Sequence, residues 1–193
     1  VQPDKNTGII GKKGLQQVES FFSQYNNNYI KILCFHHHFI PIPNTGRERS
    51  NILDAGDLLK ILWKVGVDII LVGHRHYPNI FKISNGKRSI LVINNGTFSS
   101  HKTRGKAGHI FLNLKLTKDA IKTQFFGFEG YSSFHNNSGH SYYINEGNIP
   151  YPEVKESETI LAKICQFSCS HMTSKGNFNE ESFKKGAQRM LTL

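Results

Sequence analysis

At 193 residues the chain is long enough for one ordinary domain with one sizeable core. Lys plus Arg outnumber Asp plus Glu by 24 to 14, a net charge of +10, yet the basic residues are spread out. That pattern suits an anionic ligand such as a phosphoester and lacks the aromatic-basic interleaving of a single-strand nucleic-acid binder.

The three cysteines, Cys34, Cys165 and Cys169, are an odd number, and Cys34 sits in an apolar run. A reducing cytoplasm fits them better than a disulfide framework. No apolar run reaches the roughly 18 residues of a membrane span, and Val-Gln-Pro-Asp-Lys is not a signal-peptide start. The chain therefore reads as cytoplasmic, with no membrane partner. It begins without methionine and stops directly after a helical pattern with no capping Gly or Asn, so both ends read as cut.

Leu15, Val18, Phe21, Phe22 and Tyr25 recur at helical spacing, and Tyr29 to Phe35 (YIKILCF) then reads as a short buried strand. After a Pro-rich loop, Asp54 and Asp57 resemble a helix-capping arrangement. Leu58, Leu59, Ile61, Leu62 and Val65 make one apolar face, and Gly66 supplies a stop. VDIILV (67–72) follows as a second buried strand.

From Ile80 the period changes to two, through NIFKI, a Ser84-Asn85-Gly86-Lys87 turn, SILVIN, HIFLNLKL and AIKTQFFGF, which predicts successive antiparallel strands. An α/β half followed by a β meander predicts two sheets packed face to face with helices outside. The stretch from Glu129 to Glu158 is rich in Asn, Ser, Gly, Tyr and Pro, and reads as a loop or linker. Leu161 to Phe167 is strand-like again, and Glu180 to Leu193 predicts a helix that begins a new α/β unit.

Two segments carry chemistry. Gly73-His74-Arg75-His76 directly follows the strand VDIILV, and His36-His37-His38 directly follows YIKILCF. The C-terminal ends of parallel strands are where open α/β sheets place their sites, and imidazole is a good ligand for Zn, Fe or Mn. Gly73 is expected to let the backbone turn sharply, so that two histidines reach one small volume. A His-x-His on a strand can also be only a polar face. A triple histidine can be a surface tract, although this one is short, internal and ends an apolar strand.

The stretch Ile32–Asn79, with its strand-end His and its strand-end Gly-His-x-His, resembles the last two metal-binding motifs of the calcineurin-like metallophosphoesterase superfamily. It is nearest the cyclic-nucleotide-phosphodiesterase-like branch, and the following VINNGTFSS also resembles that family's tail. The resemblance implies a four-layer α/β/β/α sandwich, present here only in part, with two divalent metal ions (Mn, Fe or Zn) acting on a phosphoester. It implies that His36 and His74 bind one ion and His76 the other, with His36 preferred to His37 as the first residue past its strand.

Arg47 and Arg49, in the loop after the histidine run, can bind phosphate oxygens or pair with Glu48 and Asp54. Gly56-Asp57 lacks the second Asp of the family's Gly-Asp-x-x-Asp and reads as helix capping. No Gly-Asn-His occurs in the chain.

Lys163 to Met190 resembles the family's opening strand, first motif and first helix, with Cys169-Ser170-His171 in place of Asp-x-His. This makes His171 a further candidate metal ligand. Residues 1–128 thus read as the C-terminal half of a metallophosphoesterase domain, 129–160 as a loop or linker, and 161–193 as the start of such a domain. Tandem domains, circular permutation and a join of two pieces all remain open. The expected function is metal-dependent phosphoester hydrolysis from an incomplete dinuclear site, with no catalytic acid or base identified. The alternative is a non-catalytic basic module that binds an anionic partner such as a nucleic acid.

Overall fold

A computed structural model describes residues 7–42, 51–97, 109–117, 120–128, 135–143 and 160–166. The chain is α/β and divides into two compact units, Val1–Asn94 and Asn95–Leu193. No described helix is long and apolar enough to cross a membrane.

The first unit contains helix α1 (Gly11–Ser23), strand β1 (Ile32–Phe35), helix α2 (Ala55–Val65), and strands β2 (Ile69–Val72), β3 (Asn79–Ser84) and β4 (Ser89–Asn94). Its sheet runs in the order β1-β2-β4-β3, with β1, β2 and β4 parallel and β3 antiparallel to β4. The apolar runs of β2 and β4 follow from burial on both faces of the sheet. Ile70, Val72, Ile90 and Val92 pack with Phe22 of α1 and with Leu58, Leu62 and Val65 of α2. Ile69, Leu71, Leu91 and Ile93 alternate with them and are buried too.

The segment read as a strand from Tyr29 begins as β1 only at Ile32, and Lys31, just before it, is held by several partners. Its backbone N–H donates to Asp68 Oδ2 at 2.8 Å. Its buried Nζ donates to the carbonyls of Phe22 (3.2 Å) and Val65 (2.5 Å), in the last turns of α1 and α2. Gly66 ends α2 in the left-handed conformation, φ 75°, and its N–H donates to Leu62 O, as the stop signal predicts. Asp54 occupies the N-cap position of α2 but makes no side-chain bond to that helix. Its carboxylate accepts from the N–H groups of Ile10 (3.0 Å) and Gly11 (2.7 Å), so it caps α1 instead.

The second unit contains β5 (His109–Thr117), β6 (Ala120–Phe128), β7 (His135–Tyr143) and β8 (Ile160–Gln166), an antiparallel sheet ordered β7-β6-β5-β8. Ile110, Leu112, Leu114 and Leu116 alternate along one face of β5 and are buried. Thr117 Oγ1 accepts from Ala120 N at 3.1 Å and donates to Ala120 O at 3.2 Å, which closes the β5–β6 hairpin.

Two readings of this half differ from the structure. A strand, β7, lies inside the stretch expected to be a loop. Its sequence is polar, and its main chain pairs with β6. The segment 161–166 is a strand, as expected, but it pairs with β5 in this same sheet. The helix expected over 180–193 lies outside the described residues.

Candidate metal centre

Phe35 of β1 and Val72 of β2 are register partners, and Val72 also pairs with Asn94 of β4. Three parallel strands therefore end level, and His36, Gly73 and Asn94 stand at one edge of the sheet. Gly73 N–H donates to His36 O at 3.1 Å, which ties the two exits together.

The sharp turn after β2 is not made by Gly73. His74 (φ 69°) and His76 (φ 55°) take the left-handed conformation instead, an uncommon choice for side-chain-bearing residues that concentrates at functional loops. Arg75 N–H donates to Gly73 O at 2.9 Å between them.

These turns bring His36 Nε2 within 2.9 Å of His74 Nδ1. The ring of His37 is 5.2 Å from that of His36 and 4.9 Å from that of His74, centroid to centroid. Burial, followed by the neighbouring His36, His37, His38 and Arg75, lowers the His74 pKa to about 4. The imidazole is therefore neutral at pH 7, the form that binds a metal.

Two imidazole nitrogens at roughly 2.0–2.1 Å from one ion would lie about 2.9–3.4 Å apart, for angles from a right angle to the tetrahedral value. The His36–His74 pair fits one ion on that criterion. Among the described residues, no group of three or more His, Cys, Asp or Glu side chains is arranged to hold a metal ion. His76 is buried on the same loop but forms no such group with the pair. The described side chains thus fit two ligands to one ion and do not build a carboxylate-bridged pair of ions.

Sequence reasoning missed His38 and Asn94. His38 is 2% exposed, and its Nδ1 lies 2.9 Å from Asn94 Oδ1. Nε2 of His38 and Nδ2 of Asn94 are buried without a hydrogen-bond partner among the described residues. Burial first lowers the His38 pKa to about 4. The Asn94 bond opposes this, and Arg75, His36 and His37 add to it. The available signal was the polar Asn that ends the apolar strand SILVIN. Arg47, Arg49, Cys169 and His171 fall outside the described residues.

No protein-family model matches the chain, and no curated protein matches it. Among solved structures, Vps29 from Cryptosporidium parvum is similar at 19% identity and TM-score 0.36, over 46% of this chain and 44% of that one. Wild-type Vps29 from Entamoeba histolytica, complexed with Zn, is similar at 16% identity and TM-score 0.39, over 63% of this chain and 59% of that one. A protein described as a 5'-nucleotidase of Staphylococcus aureus, in complex with α-ketoglutarate, is similar at 18% identity and TM-score 0.31, over 73% of this chain. The chain spans 44%, 59% and 23% of the lengths of these three chains.

Proposed function

We propose that this chain carries part of the site of a metal-dependent phosphoester hydrolase of the calcineurin-like metallophosphoesterase type, working in a reducing cytoplasm. The observation that supports this reading is the 2.9 Å approach of His36 Nε2 to His74 Nδ1 at the ends of two paired parallel strands. In this reading His36 and His74 hold one divalent ion, and His76 contributes to a second. His171 joins them if residues 161–193 act as the opening segment they resemble. Such an ion, when bound, supplies Lewis acidity toward the phosphoester and its attacking water. His74 is neutral at pH 7, and its hydrogen bond to His36 gives way when both nitrogens turn to an ion. Arg47 and Arg49 supply guanidinium groups for the phosphate oxygens.

The test is calorimetric titration of the full chain with Zn and Mn, comparing wild type with His36→Ala, His74→Ala and the double variant. Weakening of at least about tenfold by either single change, with little more from the double, is the expected result for two ligands of one ion. Binding that survives both changes would sink the assignment. Hydrolysis of a chromogenic phosphodiester, lost on His74→Ala, then tests the reaction.

The absence of a third ligand among the described residues, together with the +10 charge, keeps a second reading: a non-catalytic module for an anionic partner such as a nucleic acid. Metal-independent, salt-sensitive binding of an oligonucleotide would favour it.

A further inference from the structure

Asp54 is 43 and 44 residues from the two amides it accepts, and α1 has no side-chain cap of its own at Ile10. Its carboxylate fastens the Gly8–Ile10 segment to the Asn51–Asp54 segment. The two segments are further joined by the Gly8–Ile52 bridge and by Leu53 N–H donating to Gly8 O at 2.9 Å. The second segment is in turn laid against the histidine run. Asn51 bridges His38, and Ile52 N–H donates to His38 O at 3.0 Å.

The first segment closes on the neighbouring imidazole. A Cβ placed on Gly8 would lie 2.8 Å from His37 Nδ1 and 2.9 Å from its Cγ. That ring stands 4.9 Å from His74 and 5.2 Å from His36. The His37 ring and the His38 main chain therefore lie against two short segments that the Asp54 carboxylate helps to join.

We propose that Asp54 is a positioning residue for the strand-end histidines: by holding Ile10 and Gly11 it keeps the Gly8 and Asn51–Leu53 segments against His37 and His38. An ordinary helix cap would act on α1 alone, whereas this one is built into segments that meet the His37 ring and pair with the His38 main chain. The consequence for metal binding rests on reading His36 and His74 as ligands. The placement of these segments does not depend on that reading.

The experiment uses the full chain as wild type, Asp54→Ala, Asp54→Asn and, as a control that loosens the middle of α1 without touching these segments, Val18→Ala. Carbethoxylation of His37 and His38 by diethyl pyrocarbonate is followed by tandem mass spectrometry, alongside Zn affinity. Asp54→Ala is expected to raise the modification rate of His37 and His38 at least about fivefold through local opening. Asp54→Asn, which keeps one acceptor oxygen, is expected to raise it less, and Val18→Ala to leave it within about twofold. Unchanged protection in Asp54→Ala, or an equal rise in Val18→Ala, would overturn the proposal. A rise confined to the Asp54 variants in a chain that binds no Zn supports the positioning role and removes the hydrolase reading.

Discussion

The ammonium of Lys31 lies 2.5 Å from the carbonyl oxygen of Val65, the last residue of α2, and its second acceptor belongs to α1. Lys31→Met keeps the apolar stem but leaves both carbonyls without their donor. Hydrogen bonds to charged groups contribute about 1.5–3 kcal/mol each, and a buried group left unpaired costs about 1–3. The expected destabilisation is about 2–4 kcal/mol, read as a lower urea midpoint with an unchanged slope. A loss under about 0.5 kcal/mol would mean that water replaces the ammonium.

Gly66 separates two effects at one position. A methyl there meets the Arg88 guanidinium, which is the end of a flexible side chain, whereas the φ of 75° is imposed by the backbone. Gly66→Ala is expected to cost about 1–2 kcal/mol. Adding Arg88→Ala should recover less than half of that, as measured by thermal or urea unfolding of the double variant. Full recovery would show that the clash, and not the left-handed conformation, sets the cost.

His38 makes stability depend on pH. Its folded pKa of about 4 lies below the ordinary 6.5, so the unfolded chain takes up the proton first as pH falls. Its stabilisation is complete above about pH 6.5, declines between 6.5 and 4, and levels off below that, with roughly 2–3 kcal/mol at stake. His74 acts in the same window, while the raised pKa of Asp68, caused by burial, acts with the opposite sign. His38→Gln should therefore flatten the slope of urea midpoint against pH without abolishing it. An unchanged slope would place the titration elsewhere.

Gly8 and His37 should be energetically coupled. Gly8→Ala places a methyl 2.8 Å from the ring and 3.1 Å from the Cγ2 of Ile52. In a double-mutant cycle with His37→Ala, the two changes are expected to interact by about 1 kcal/mol, with Gly8→Ala milder when the ring is gone. Simple additivity would show that the segment gives way without pressing on the imidazole.

How far these features could be read from the sequence depended on whether their cause was local. SILVIN and AIKTQFFGF match β4 and β6 residue for residue, because their apolar content and the polar or turn residues that flank them are local marks. The level strand ends behind His36 and His74 agree with two apolar runs, one stopping at His36 and the other at Gly73-His74. Three things had no local mark. β7, HNNSGHSYY, has no alternation to show, and it pairs through its backbone. Asp54 stands where a cap of α2 belongs, while its partners lie in an earlier helix. His38 looked like one more member of a tract, and its partner Asn94 lies 56 residues away.

Helices α1 and α2 begin together at Asp54 and finish together at Lys31, so they run side by side in the same direction. Their positive poles lie together at one end, and α2 starts from the edge of the sheet where β1 ends. Helix N-termini in such a place commonly attract anions. Here one carboxylate already answers the amides that open α1. That end of α1 is therefore neutralised by a group of the chain itself, whereas the amides that open α2 receive no side-chain cap among the described residues.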